Sequence, residues 1–530
     1  MIWSSSYPEV LVGGTTLPAL VTEAAERFPE RTALVDGPSG ASVTYAELVR
    51  RVERIAAWLH ADGVRPGAVI GMWAPNTPPW AAFALAAMRL GATVTATHAA
   101  APEREALGTL AAAGAEVVVT VPERVPALRE RVRRVVVLGE APGATPLHEV
   151  LACPDPSPPP ADDPDAVALL PFSSGTTGRP KGVRLTHTNL VTHIRQMRAV
   201  LGLTEHDTTL ALAPFPHVLG SVGTLALPLA VGATVVTVPQ VDPVLLADLV
   251  ERHRVRFLAV PPPVATVLTA HPALAGRDLS SLRFVGVGAA PLPPRLQEAL
   301  AARLPGCVVG QGWGMTETTS GICLPDGRTG TTPGTVGRPL PNTELRVVDP
   351  ETGRDLGVSE CGELWVRGPQ VMAGYQDAPE ATAAVLDADG WLRTGDLGRI
   401  EPSGDVVLLD RLKELIKVDG FQVAPAELEA LLVEHPAVAD AAVVGRPDER
   451  HGEVPVAFVV PRPGDGAGLD GDTVLRWITE RVSRHQRPAA LNVVDVLPRS
   501  PAGKLLRRTL RDLGDAPTPG VEPRSATLAR

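Results

Sequence analysis

Several segments of the chain combine residue types that bind the phosphates, sugar and base of a nucleotide. Ser173-Ser174-Gly175-Thr176-Thr177-Gly178-Arg179-Pro180-Lys181-Gly182 follows the apolar run 166–171. Small hydroxyl and glycine residues leave backbone N–H groups free to wrap phosphate oxygens, and Lys181 adds positive charge. The spacing departs from G-x-x-x-x-G-K-[ST], which disfavours an ordinary P-loop NTPase. Such a run is by itself more often a plain loop; Lys181 favours phosphate contact. Gly286-Val287-Gly288-Ala289-Ala290-Pro291 begins like a dinucleotide fingerprint, but Pro291 occupies its sixth position. It reads as a strand-end loop beside a nucleotide, not a Rossmann turn. Gln311-Gly312-Trp313-Gly314-Met315-Thr316-Glu317 offers a flat ring, two glycines, a hydroxyl and a carboxylate. That set suits a stacked base and a phosphate–Mg²⁺ contact; the alternative is a Gly-rich turn around a core Trp. Asp396, in Trp391-Leu-Arg-Thr-Gly-Asp396, is a carboxylate after a turn that could accept both hydroxyls of a ribose or be a plain turn residue.

Composition singles out the lysines. Of 49 basic residues only Lys181, Lys413, Lys417 and Lys504 are lysine, and Asn, Ile, Tyr and Phe are also scarce. Their codons are AT-rich, so the pattern points to a GC-rich bacterial genome. Under such drift a surface Lys becomes Arg at little cost, whereas a Lys acting as a compact point charge does not. All four lysines lie in motif-like segments, the last three in 410–417 and 500–504.

The elements that must position these groups read as α/β. Residues 17–28 and 44–61 are amphipathic helices, 69–73 a buried strand and 80–90 a buried helix. Gly91-Ala-Thr-Val94 and Gly232-Ala-Thr-Val235 each open a strand. Each is followed by a helix (103–113 and 243–253) and a second strand (116–120 and 256–260). Two such units predict parallel sheets covered by helices. Residues 153–165 are a Pro/Asp-rich loop. Short strands with Gly turns over 340–410 predict a β-rich subdomain, 411–510 another α/β unit, and 513–530 a disordered tail.

Bulk properties bound the function. A chain of 530 residues, 45% apolar and 20% charged, is globular and multidomain. Net charge is −10 with both signs mixed, which disfavours nucleic-acid binding. The four cysteines are widely spaced, so neither a zinc site nor a disulfide framework is expected. The N-terminus lacks a basic region followed by an apolar run, so no signal peptide and a cytoplasmic location are expected. The uncharged stretch 208–240 is broken by prolines and glycines and reads as buried core, not a membrane span. No Gly-x-Ser-x-Gly elbow is present.

Together the motifs resemble the adenylate-forming superfamily of acyl- and aryl-CoA synthetases, peptide-synthetase adenylation domains and beetle luciferases. They are most similar to the 4-coumarate/cinnamate:CoA ligase branch. SSGTTGRPKG, QGWGMTE, GELWVRGPQVMAGY, WLRTGD, DRLKELIKVDGFQVAPAELE and SPAGK occur in family order. The resemblance implies a large N-terminal domain of layered α/β sheets (1–410, with the β-rich subdomain 340–410). A small mobile C-terminal α+β domain (411–512) joins it at a hinge near Asp410 and Lys413. It also implies two half-reactions. A carboxylate attacks the α-phosphate of MgATP to give an acyl-adenylate and pyrophosphate, and a nucleophile, usually the CoA thiol, then displaces AMP.

By position, the resemblance assigns Ser173, Ser174, Gly175, Thr176, Thr177, Gly178 and Lys181 to the β- and γ-phosphates. Gly288, Ala289, Ala290 and Pro291, with Gln311, Gly312 and Trp313, frame the adenine. Thr316 meets the α-phosphate, Glu317 holds Mg²⁺, Asp396 takes the ribose hydroxyls, and Arg411 reaches ribose or phosphate. Lys504 bridges carboxylate and α-phosphate; Lys417 belongs to the same catalytic set. His217 faces the carboxylate and gates the acyl tunnel, although a bare His there is more often a satisfied core residue. Phe215, His217, Val218, Ser221, Gly286, Gly312 and Gly314 are expected to line an apolar pocket for one aromatic ring. The implied small-molecule partners are the acid, ATP with Mg²⁺, and CoA.

Of three departures from the family pattern, Trp313 for the usual Tyr should still stack on adenine; the two others bear on the acceptor. The CoA-ligase branch commonly has Lys-Tyr-Lys-Gly-Phe where this chain has Lys417-Val-Asp419-Gly-Phe421. It often has Tyr-Lys at His485-Gln486. Two lost cations and an added anion should weaken binding of a polyanion such as CoA. The readings are a CoA ligase for an aromatic or arylpropenoic acid, or an adenylating enzyme with another acceptor. The latter includes nitrite activation for diazotisation of an aromatic amine in secondary metabolism. A catalytically silent nucleotide-binding module is disfavoured by the intact Lys181, Glu317, Asp396 and Lys504.

Overall fold

Short runs rich in Val and Ala that begin near a glycine form buried parallel strands, because residues covered on both faces need no polar alternation. The computed structural model describes residues 1–173, 180–240, 242–462, 469–499 and 505–514. Ser174, Gly175, Thr176, Thr177, Gly178 and Lys504, and the tail from 515 on, lie outside these residues. The chain divides into two units, Met1–Thr394 with Gly398–Leu408, and Gly395–Leu397 with all from Leu409 on.

The first unit contains two seven-stranded sheets. One runs Leu185–Thr186, Val167–Leu169, Thr93–Ala96, Val69–Trp73, Ala115–Thr120, Arg134–Val137, Thr145–Pro146. The other runs Val308–Gln311, Phe284–Val287, Phe257–Val260, Thr208–Ala211, Thr234–Thr237, Thr32–Asp36, Ser42–Thr44. The two expected strand–helix–strand units are present, with helices Glu103–Ala113 and Pro243–His253. Their strands do not pair with each other, however. Val69–Trp73 lies between the first pair and Thr208–Ala211 between the second, with every one of these contacts parallel. Helices Leu17–Arg27 and Tyr45–Ala61 start where Thr16 and Thr44 accept from Ala19 N and Glu47 N, which satisfies amides the helix leaves open.

The uncharged stretch 208–240 is core. It folds as Thr208–Ala211, a π-helix Leu219–Ala226, the helix Leu227–Val231 and Thr234–Thr237. A Cβ on Gly220 would lie 2.1 Å from the Pro214 carbonyl oxygen, so only glycine lets the chain turn this tightly. Among the described residues no helix is long and apolar enough to cross a membrane. The β-rich segment forms a sheet of Glu344–Val348, Gly362–Arg367, Leu392–Ile400 and Val406–Arg411, with Ile2–Ser4 added at its edge. That N-terminal strand has no sequence signal, since three residues carry no period.

The second unit is α+β. Phe421–Val423, Ile416–Val418, Gly452–Pro461 and Val438–Asp448 form its sheet, and Ala490–Val493 pairs parallel to Gly452–Pro461. Helices Pro425–Val433 and Gly471–Thr479 close a core that includes Leu428, Leu432, Val443, Val459 and Ile478.

The helix His187–Leu201 is unusual in burying polar residues. It begins in a capping box, Thr186 with Asn189, whose amide also donates to the carbonyls of Pro369 (2.8 Å) and Val371 (2.9 Å). His187 Nδ1 accepts from Leu17 N at 3.2 Å, and His193 Nε2 from Gly321 N at 3.1 Å. An accepting nitrogen cannot carry a proton, and burial pushes both imidazoles down to about 4. The unfolded chain binds these protons near pH 6.5 and the folded chain only near 4. Stability should therefore fall as pH drops from about 6.5 to 4, by on the order of 1 kcal/mol per pH unit for each histidine. In thermal melts at pH 7 and pH 5, His187→Gln should show a smaller drop than the wild type. Equal drops would remove His187 from the acid response.

Candidate active site

The ends of the candidate phosphate segment form a hairpin stem. Phe172–Ser173 pairs antiparallel with Lys181–Gly182, in the register Phe172 to Gly182 and Ser173 to Lys181. The stem delivers Ser173 and Lys181 to one place. Ser173 Oγ donates to Glu317 Oε1 at 2.9 Å, and Tyr375 OH donates to the same oxygen at 2.9 Å. Lys181 Nζ stands 4.9 Å from the centroid of the Tyr375 ring, a cation–π contact. Met372 N donates to the Glu317 carbonyl at 2.9 Å. Glu317 lies in the 3₁₀ turn Thr316–Thr318 and is only 5% exposed. Burial first, then the Glu317 charge and hydrogen bond, hold the Tyr375 hydroxyl far above its usual range, so it stays a donor.

Tyr375 was not singled out from the sequence, although the signal was there. Tyr is as scarce as Lys, three in the chain, and the codon argument applies to it equally.

The carboxylate fits one divalent cation. Both described side-chain donors converge on Oε1, so the second carboxylate oxygen is the one that would meet a metal. Among the described residues no cluster of three or more His, Cys, Asp or Glu could hold an ion by itself. Mg²⁺ has that habit: one or two carboxylates, with water and phosphate oxygens for the rest.

The two nucleotide-framing segments are adjacent. Gln311 ends its strand, accepts from Leu292 N at 2.7 Å through Oε1, and so ties the 288–291 loop to 311–313. Gly312 N donates to Val287 O at 2.9 Å. Ala289 holds φ +68°, a conformation L residues rarely adopt, and such strain clusters at binding sites. Trp313 is 5% exposed and packs within the main core, which fits the core-Trp alternative better than an open stacking platform. Pro291 is exposed, and Thr316, Gly288, Ala289 and Ala290 are half-buried.

The expected acid pocket divides into surface and support. His217 is half-buried; its Nδ1 accepts from Leu219 N at 3.2 Å. Gly286, Gly312 and Gly314 are half-buried too. Phe215 and Val218 are instead core residues at 1% and 2% exposure, Phe215 lying 4.9 Å from the Trp80 ring, and Ser221 is buried with its hydroxyl on the His217 carbonyl. They buttress the loop. Asn76 does so as well, although nothing in the sequence argument named it. Its amide donates to Ala211 O (3.1 Å) and Ala213 O (2.9 Å), and its oxygen accepts from Phe215 N (2.9 Å). A Cβ on Gly314 would lie 1.7 Å from Ser320 O, so this wall requires glycine.

The second unit carries the remaining candidates. The buried Asp396 carboxylate pairs with Arg411 at 2.8 Å, so the two residues expected around the ribose form one ion pair. Lys417 is exposed, and its N–H donates to Glu453 at 2.8 Å. Asp419 and Gly420, at φ +51° and +83°, are the two-residue turn of the hairpin Ile416–Val418 to Phe421–Val423. Asp-Gly is among the preferred pairs for such a type I′ turn, so backbone conformation accounts for an Asp here. Nor is its charge bare: Oδ1 lies 2.8 Å from His451 Nδ1. His485 stacks on the exposed Phe421 ring at 4.5 Å, and Gln486 donates to Glu427 at 3.4 Å.

Comparison with known proteins places the chain in a family. Residues 21–376 match the AMP-binding enzyme family and residues 427–504 the AMP-binding enzyme C-terminal domain. The chain is 40% identical to 4-coumarate–CoA ligase 1 of Oryza sativa subsp. japonica over 512 residues, 92% of this chain and 90% of that one. ATP-bound MatB from Rhodopseudomonas palustris superposes with a TM-score of 0.86 at 29% identity, covering 94% of this chain and 98% of MatB. The anthranilate CoA ligase AuaEII in complex with anthranoyl-AMP gives 0.86 at 25% identity, covering 95% and 98%. The motif order, the layered α/β fold and these matches show that the chain belongs to the adenylate-forming AMP-binding enzyme family, close to its 4-coumarate–CoA ligase branch.

Proposed function

We propose that this AMP-forming ligase joins an aromatic or arylpropenoic carboxylic acid to CoA. ATP supplies the adenylate, with pyrophosphate and then AMP released. The observation that carries the reading is the buried Glu317 carboxylate, oriented by Ser173 and Tyr375 beside Lys181. The relatives named 4-coumarate–CoA ligase support the acid class and the thiol acceptor.

Two anions must meet, the acid and the triphosphate, so the barrier is largely electrostatic. Lys181 offers a compact charge to the terminal phosphates, and Thr316 a hydroxyl to the α-phosphate. Glu317 would hold Mg²⁺, which when bound would supply positive charge against the triphosphate. Asp396 accepts the ribose hydroxyls, with Arg411 shared between carboxylate and nucleotide. His217 faces the acid carboxylate. Lys504 joins the acid and α-phosphate in the transition state and withdraws before the thiol attacks. Adenylation replaces a poor leaving group with AMP, which makes the second step easy.

The test is a product assay by mass spectrometry, with ATP, a panel of aromatic and fatty acids, and either CoA or nitrite plus an aromatic amine. A cinnamate-type acid should give AMP, pyrophosphate and a thioester, and palmitate should be poor. ADP and phosphate as products, or AMP release that requires nitrite, would overturn the reading. Lys504→Ala should lower kcat for adenylate formation ~10²–10³-fold with ATP binding nearly intact, the size of losing one preorganised charge contact. An unchanged adenylation rate would take Lys504 out of the mechanism. Asp419→Asn keeps the turn conformation and removes the charge. It should lower KM for CoA about two- to threefold at low salt, less at high salt, and leave adenylation alone. A KM unmoved at low salt would mean that the anion does not face CoA.

A further inference from the structure

His193 is fully buried on the helix His187–Leu201, outside every motif that places the chemistry. Both ring nitrogens are bonded. Nε2 accepts from Gly321 N at 3.1 Å, and Nδ1 lies 3.0 Å from Gln196 Oε1. A backbone N–H only donates, so Nε2 is bare and Nδ1 carries the proton. The polarity continues outward. Gln196 Nε2 donates to Pro341 O at 2.6 Å and Gln370 Oε1 at 3.1 Å, and Gln370 Nε2 donates to Thr343 Oγ1 at 2.8 Å. One buried chain of donors therefore sets the tautomer of the imidazole.

What the imidazole holds is one end of the segment that carries Glu317. Trp313 pairs with Cys323: Trp313 N donates to Cys323 O at 2.8 Å, and Ile322 N to Trp313 O at 2.7 Å. Between these rungs Thr319 and Ser320 adopt φ of +61° and +145°, which non-glycine residues, and a β-branched one above all, adopt only under constraint. The segment is tethered at three points. Glu317 is held by Ser173, Tyr375 and Met372 N; Thr319 Oγ1 donates to Gln370 O at 2.7 Å; Gly321 is held by His193. The first tether serves the nucleotide end. The last serves the end whose Ser320 carbonyl fills the space over Gly314.

We infer that His193 is a positioning residue for the acid half of the site: through the Gly321 amide it seats Ser320 and Gly321 on Gly314 and so sets which carboxylic acids fit. This rests on the proposed function and on the expected place of Gly312 and Gly314 in the lining of the acid pocket. The nucleotide end has its own tethers, so a loosened Gly321 changes acid recognition and spares ATP.

Two variants of similar size separate this from a merely structural role. His193→Gln keeps an acceptor at the Nε2 position, whereas His193→Asn keeps one only at Nδ1 and cannot reach Gly321. In steady-state pyrophosphate release by the full chain, His193→Asn should raise KM for the acid about tenfold, the loss of one hydrogen bond. KM for ATP should stay within about twofold, and His193→Gln should recover most of the acid KM. Hydrogen exchange over 318–324 should rise in the Asn variant and not in the Gln variant. Equal acid KM in folded wild type, Asn and Gln proteins, or acid and ATP KM rising together, overturns the inference. If the Asn variant does not fold, Gln196→Leu tests the same point, because without that acceptor the ring proton can move to Nε2 and face the Gly321 amide. Its acid KM should rise likewise, and an unchanged one overturns the inference. A wild type that turns over no acid fails the proposed function instead; loss of exchange protection in the Asn variant alone then still supports the tether, and its absence overturns it.

Discussion

A carboxylate removed from water must be met by donors and by positive charge, and Glu317 is such a group. Neither its strand-end turn nor its neighbours in sequence supply these. They come from a hairpin stem 144 residues earlier and a tyrosine 58 residues later. Once Ser173 and Tyr375 are committed to Oε1, the phosphate segment, the 3₁₀ turn and the β-rich subdomain are held in one arrangement. Lys181 is then fixed by the ring beneath it. The cost of leaving a buried charge unpaired is what makes the three segments hold together.

The parts legible in the sequence were those with a period or a rare residue. Parallel strands, their covering helices and the Gly-x-x-Val entry of the two repeated units follow from apolar runs and turn chemistry. Lys181 follows from codon drift. Strand order did not follow, because a buried strand presents apolar residues on both faces and is indifferent to its neighbour. Buried polar groups were also missed. Asn76, His193, Gln196 and Gln370 look like ordinary helix or loop residues until the carbonyls they serve are close by. Phe215 and Val218 flank His217 and are buried in the main core, Phe215 against the Trp80 ring.

In the second unit local geometry and charge give different accounts of the same residue. Asp419 looks, on charge alone, like a barrier to a polyanion. Its backbone shows a two-residue hairpin turn at positive φ, in which Asp-Gly is an ordinary choice. His451 Nδ1 then lies 2.8 Å from its carboxylate. A departure from a family pattern need not be a change of function when backbone conformation accounts for it.

The topology of the two large sheets bears on how the chain assembles. Val69–Trp73 precedes both strands that flank it, and Thr208–Ala211 precedes both of its own. As the polypeptide leaves the ribosome, the middle strand of each trio is therefore always made first. The later strands add to its two exposed edges in turn, one on each side of an intervening helix. Neither sheet has to open to admit a strand between two that have already paired, so vectorial synthesis and sheet growth run in the same direction.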